Sequence, residues 1–515
     1  MINKQLTQLA AAIGVASMMT ACGGGSSSSG GTTVAAGGKG FVVFPAAESA
    51  GAVLVRSATP RAALFAEYLY RTDGTPAGTT KIVDGSNNGF EVGRFGGGYM
   101  ADLDGKIYYA GKDSSGDVEL WVTDGTGAGT ERVADLYTGG SGQPHNMVPV
   151  ADKLFMNAVV DDASGVGREL VVFDPASGTF EALTSTIDGN PTSSNAPESL
   201  TPVEDGLFFY DQDAGDVYFT DGSVAGTLKI ATSNDNITNL NSPLSKYPEL
   251  IGDDDWIGYK GKLLFTGRFN ATDAQTRLYE MDQDGNIKEI AFENNGYTVQ
   301  LDITQNVVTS NGKVYFVADA GANNPDLHIF EYDGSSVVRL TGSEGSRPYN
   351  DSLVGTSLGV FMYVEMAGLP PYLLRVDNTN GPAGVTAALR GSGDYSFADV
   401  GYMVEANGTV FFSAYTEDAG GSDFGTELWK TDGTQQGTEL VKDINDTMAG
   451  ADSQPFPLTF MYQVPPTVNQ GLGSKYLFVA NNGSEGFEPW GSDGSEAGTL
   501  LLKDISAGSG SSVID

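Results

Sequence analysis

An all-β fold built from repeated four-stranded units is predicted by three observations. A stretch reading ELWKTDGTQQGTELVKDI, residues 427–444, recurs along the chain. Glycine is abundant, at 70 of 515 residues, and punctuates short apolar runs. No amphipathic helical period is found after residue 22.

Near copies of that stretch are ELWVTDGTGAGTERVADL from Glu119, YLYRTDGTPAGTTKIVD from Tyr68, VYFTDGSVAGTLKIAT from Val217 and EPWGSDGSEAGTLLLKDI from Glu488. A short apolar strand, an Asp-Gly turn and a second strand read as a β-hairpin. In a full unit two more apolar segments precede the hairpin. One follows a Ser/Gly/Pro-rich loop, as in PHNMVPV from Pro144. The other follows a small turn, as in GKIYYAG from Gly105.

Second segments are found nine times, starting at Phe41, Ile107, Leu154, Leu207, Leu263, Val314, Val360, Val410 and Tyr476. Third segments also number nine, four of them degenerate: ELVVFD at Glu169, RLYEMD at Arg277, HIFEYD at His328 and YLLRVD at Tyr372. From Trp121 to Trp490 the repeat length averages about 53 residues, a period seen in propeller blades.

Neighbouring residues in these strands are both apolar. Leu428 and Trp429 must point to opposite sides of a sheet, so the sheet needs cover on both faces. Stacking four-stranded sheets around an axis supplies it and protects the edges. A lone sandwich would alternate polar and apolar positions more cleanly. The prediction is a single large β-propeller of about nine blades, with eight as the alternative count, over residues 39–515. Two smaller rings would need a linker that no junction carries.

The first repeat begins at its second segment, GKGFVVF, with no obvious first strand before it. Ser512–Asp515 are expected to supply that strand and close the ring. Residues 45–63 are an insertion in the first blade, and AVLVRS within it is a competing candidate.

Residues 1–21 read as a secretion signal: Lys4 gives positive charge, and the apolar run Leu6–Met19 is too short to span a bilayer. The signal ends in Met-Thr-Ala-Cys, which resembles the lipobox of bacterial lipoproteins. That resemblance implies cleavage before Cys22 and acylation of Cys22, the only cysteine. Gly23, rather than an acidic residue, implies the outer membrane. Residues 22–38 are Gly/Ser-rich, a flexible tether.

Net charge is −37, from 65 acidic and 28 basic residues. Such a field disfavours nucleic acid. A single cysteine excludes intrachain disulfides and Cys-ligated zinc, and two histidines leave little for a multi-histidine metal site.

In the TDGTxxGT turn, Asp73, Asp124, Asp221, Asp432 and Asp493 are placed to accept backbone N–H bonds, and the following glycine to take positive φ. The copies at 119 and 427 are similar to the bacterial ELWxxDGT repeat family, with partial matches at 68, 217 and 488. The resemblance, over about residues 40–510, implies a secreted or surface-anchored propeller-like protein and brings no catalytic residues.

Candidate chemistry is sparse. EMDQDGNIKEI, with Asp282 and Asp284, begins like a calcium loop but has Ala291 where the last acidic ligand belongs. A hairpin turn is the simpler reading. The acidic runs at Val160 and Asp253 read as solvated loops. His145 and His328 have no G-x-S-x-G nearby to suggest a triad. Loops around Pro144, Pro197, Pro248, Pro348 and Pro455 shape one rim, where Tyr247, Tyr349 and Phe456 are candidates for stacking on sugars. No cofactor is expected, calcium being the one considered.

These features favour a noncatalytic binding or scaffold module for protein or carbohydrate. The alternative is a propeller glycoside hydrolase or lyase using paired channel carboxylates. A quinone-dependent propeller would place its tryptophan after the turn, whereas here it precedes the turn.

Overall fold

The computed structural model describes residues 42–47, 67–93, 98–162, 165–184, 197–211, 216–231, 256–267, 276–294, 297–299, 302–303, 307–319, 327–340, 346–348, 352–366, 369–376, 385–389, 396–417, 423–458 and 475–512. Among them nine antiparallel sheets follow one another in chain order. Blade one has three strands, Val42–Ala47, Glu67–Thr72 and Thr80–Lys81. Blades two, three, four, five, eight and nine have four each, running from Met100, His145, Pro197, Ile257, Ser396 and Phe456. In blades six and seven the first strand is broken in two: Asp302–Ile303 and Val308–Ser310, then Ser346–Pro348 and Val354–Thr356. A separate hairpin, Phe292–Asn294 with Tyr297–Val299, lies between blades five and six in sequence.

Each sheet is a meander in strand order, as expected of blades. First strands of neighbouring blades lie side by side, from blade two through blade five and again from blade six through blade nine. That places them innermost, around the axis. The arrangement is a nine-bladed β-propeller, and the count of nine replaces the alternative of eight.

Apolar residues fill every seam between blades. Leu428 packs with Phe478 and Trp490 of blade nine, while Trp429, fully buried, packs with Phe361 and Tyr363 of blade seven. The two neighbours thus face opposite sides, and each blade is covered twice. Deleting either side chain would cost about 2–5 kcal/mol. One continuous cluster joins Leu477, Val479 and Leu502 of blade nine to Leu69 and Tyr70 of blade one, so the circle closes.

Closure departs in detail from the expectation. Ser512 is not part of a strand in blade one. Its N–H donates to Phe487 O at 3.0 Å, within blade nine. Gln143 N and Gln454 N make the same bond to Val118 O and Thr426 O just before the next blade begins. Ser512 is therefore the last anchor of an interblade loop, and residues 513–515, like the AVLVRS segment, lie outside the described residues.

Candidate functional site

The hairpin turns are built by one hydrogen-bond pattern. Asp432 Oδ1 accepts from Thr434 N at 2.8 Å and from Thr434 Oγ1 at 2.7 Å. Gly437 N donates to Thr434 Oγ1 at 3.0 Å, and Thr438 Oγ1 donates to Thr434 O at 2.7 Å. The Thr438 proton is thereby committed, so Thr431 must donate in their 2.8 Å contact while accepting from Gly433 N. Asp73, Asp124, Asp221 and Asp493 repeat the arrangement. These bonds hold Asp432 below the usual carboxylate range, the Thr434 hydroxyl contributing most. Gly433 has φ 85°, and a Cβ on Gly437 would stand 2.1 Å from Asp432 Oδ1. The five aspartates thus do the structural task expected of them.

The opposite ends of the third strands carry a second set of acids. Glu119, Glu427 and Glu488 are fully buried. Glu427 accepts from Ile444 N at 2.8 Å, Ser453 N at 3.0 Å and Ser453 Oγ at 2.6 Å. Glu119 accepts from Leu136 N and Gly142 N, and Glu488 from Ile505 N and Ser506 N. Each carboxylate pins the loop leaving its own blade. Burial outweighs these donors and pushes Glu427 up to about 8, and Glu119 and Glu488 to about 7.

A third constellation lies where blade three meets blade four. Arg168, half-buried on the third strand of blade three, reaches across to the first. Its Nη2 donates to Gln143 Oε1 at 2.8 Å and its Nη1 to Asn157 Oδ1 at 3.3 Å. His145 Nδ1 lies 2.9 Å from Gln143 O and 3.2 Å from Arg168 Nη1. The carbonyl can only accept and the guanidinium can only donate. The shorter contact assigns the proton to Nδ1, leaving Nε2 as the acceptor. Burial outweighs the bond to the Gln143 carbonyl and, with the nearby guanidinium charge, holds His145 below its usual value. Asn157, fully buried, donates to Pro197 O of blade four at 2.9 Å, and Asn146 donates to Glu198 Oε2 at 3.0 Å. Asn146 and Ser199 have φ of 50° and 52° at bulges in their first strands.

Sequence reasoning missed Arg168. The available signal was its position directly before Glu169, where the ELW copies carry Val118, Thr426 and Phe487. Other candidates fall elsewhere. Asp282 Oδ1 accepts from Asp284 N at 3.0 Å and Asn286 N at 2.9 Å, closing a hairpin turn. No group of three metal-ligating side chains occurs among the described residues. Asp161 and Asp162 extend a hairpin with Gly165 and Val166. His328 is buried edge-on to Phe330. Phe456 is not an exposed stacking platform: it is 9% exposed, wedged between Tyr402 and Phe487, because the loop before it folds inward on Glu427. Cys22, Tyr247, Pro248, Tyr349 and the run at Asp253 lie outside the described residues.

No family model matches the chain, and no curated protein does. Solved structures with similar strand arrangement are propeller-containing hydrolases. A puromycin hydrolase matches at 14% identity and TM-score 0.32, over 71% of this chain and 54% of that one. An acylaminoacyl peptidase from Pyrococcus horikoshii matches at 10% identity and TM-score 0.33, over 70% and 52%. The chain thus spans about half the length of these enzymes. The propeller domain of the Trilobed protease from Pyrococcus furiosus matches at 9% identity and TM-score 0.33, over 70% and 95%. These likenesses concern fold alone.

Proposed function

We propose that the chain is a noncatalytic binding or scaffold propeller for protein or carbohydrate, lipid-anchored through Cys22 in the bacterial outer membrane. The observation that carries the binding role is how the buried glutamates are used. Glu119, Glu427 and Glu488 would be the natural general acids of a hydrolase, with pKa values raised to about 7–8. Each spends its oxygens on backbone N–H groups of its own blade. The lipobox-like end of the signal, the Gly/Ser tether and the similarity to ELWxxDGT repeats support the lipid-anchored setting in the cell envelope, facing the periplasm or the surface. The acidic field keeps nucleic acid off the partner list.

A glycan array and an envelope-protein pull-down with the purified chain test this reading. Saturable binding without turnover is expected; release of product from a bound glycan or peptide would overturn it. Labelling cells with an alkyne fatty acid should tag the native chain and not Cys22→Ser.

A further inference from the structure

Arg168 sits half-buried in a chain of net charge −37, yet no carboxylate among the described residues pairs with it directly. Its acceptors are the neutral side chains of Gln143 and Asn157, with the His145 ring lying against it. Glu198 attracts it through space but is bonded to Asn146. Neutral acceptors leave the charge of a guanidinium uncompensated, and the N–H groups of a guanidinium suit a carboxylate. Asn157 is itself locked to blade four, so the seat is rigid. Left-handed Gln143 and Asn146 frame it, at φ 49° and 50°. Similar bulged first strands occur at Ser199 and Tyr402, but the arginine is confined to blade three.

We infer that Arg168, with Gln143, His145 and Asn146 around it, binds the carboxylate of a sugar acid at the seam of blades three and four. This deepens the binding reading and rests on it. One guanidinium matches one negative charge. A phosphate dianion or polyanion meets Glu198 and the acidic surface, and is disfavoured. The neutral amides of Gln143 and Asn146 and the Nε2 acceptor of His145 suit hydroxyl groups flanking the carboxylate.

Titration calorimetry of the full chain in detergent, with methyl glucuronide as probe, tests the site. Methyl glucoside, of the same shape without the charge, should bind at least about tenfold more weakly, as should methyl glucuronide to Arg168→Gln. Arg168→Lys should recover part of the loss. Should Arg168→Gln misfold, a second readout uses the native chain: saturating methyl glucuronide should slow phenylglyoxal modification of Arg168, mapped by mass spectrometry. Equal binding of both glycosides, unprotected Arg168, or binding of a peptide carboxylate in preference to the glucuronide would overturn the inference. Glycan-array binding that persists in Arg168→Gln would remove this site and leave the binding role standing. An array and pull-down blank for the native chain would remove both.

Discussion

Lys475 Nζ donates to Gly74 O at 2.8 Å, joining blade nine to the turn of blade one across 401 residues. The same carbonyl is met at other seams from a different position. Arg71 reaches Gly125 O, Arg375 reaches Gly433 O and Lys430 reaches Gly494 O, each from two residues before its own turn aspartate or the matching position. In blade nine that position is Gly491, which has no side chain to send. Lys475, just before the adjacent strand Tyr476–Asn481, takes over. Lys475→Met keeps the apolar stem and removes the donor, and should lower stability by about 1–2 kcal/mol. Chemical denaturation would measure it; an unchanged midpoint would mean the closing seam is held by packing alone.

Truncation after Gly510 should destabilise the closing blade. It removes the Ser511 and Ser512 bonds to Phe487, and with them the end of the loop that Glu488 holds. A loss of about 1–3 kcal/mol is expected from the freed buried groups. Thermal melting reads it directly, and an equal melting temperature would show that the terminal anchor is dispensable.

Gly437→Ala should cost about 1–3 kcal/mol, because its Cβ would meet the Asp432 carboxylate. In an Asp432→Ala background the clash is gone, so the added cost of Gly437→Ala should shrink to a few tenths of a kcal/mol. A double-mutant cycle by urea denaturation checks this. Additive effects would place the penalty in the backbone instead of the contact.

Blades, repeat count and turn chemistry were legible because they are local and periodic. Leu428 and Trp429 announce two covered faces by adjacency alone, and Asp432 lies two residues from the groups it binds. The Glu427 loop anchor was not legible, since its donors stand 17 and 26 residues away. Phe456 was misread as exposed for the same reason: burial follows from how its loop docks on the preceding blade. Asn146 and Glu198 meet only across a seam between repeats, where no single copy of the motif holds both.

Stability should peak in mildly acid solution and fall toward alkaline pH. Glu119, Glu427 and Glu488 are raised from their ordinary value of 4.5 to about 7, 8 and 7. The folded chain then binds their protons more tightly than the unfolded chain. Their contribution is complete below about 4.5 and is lost as pH climbs through about 7–8. Asp73, Asp221, Asp432 and Asp493 are lowered by their turn bonds, so their contribution holds above their ordinary value of 3.8 and is lost as pH drops below it. Between the two sets lies a maximum near pH 4–5. Self-repulsion of the acidic surface also grows with pH, so the glutamates must be separated from it. The triple variant Glu119→Gln, Glu427→Gln, Glu488→Gln keeps that surface and should have a lower maximum but a flatter decline between pH 5 and 8.5. Calorimetric melting across that range decides the matter. If native and variant proteins decline in parallel, the buried glutamates are not the groups responsible.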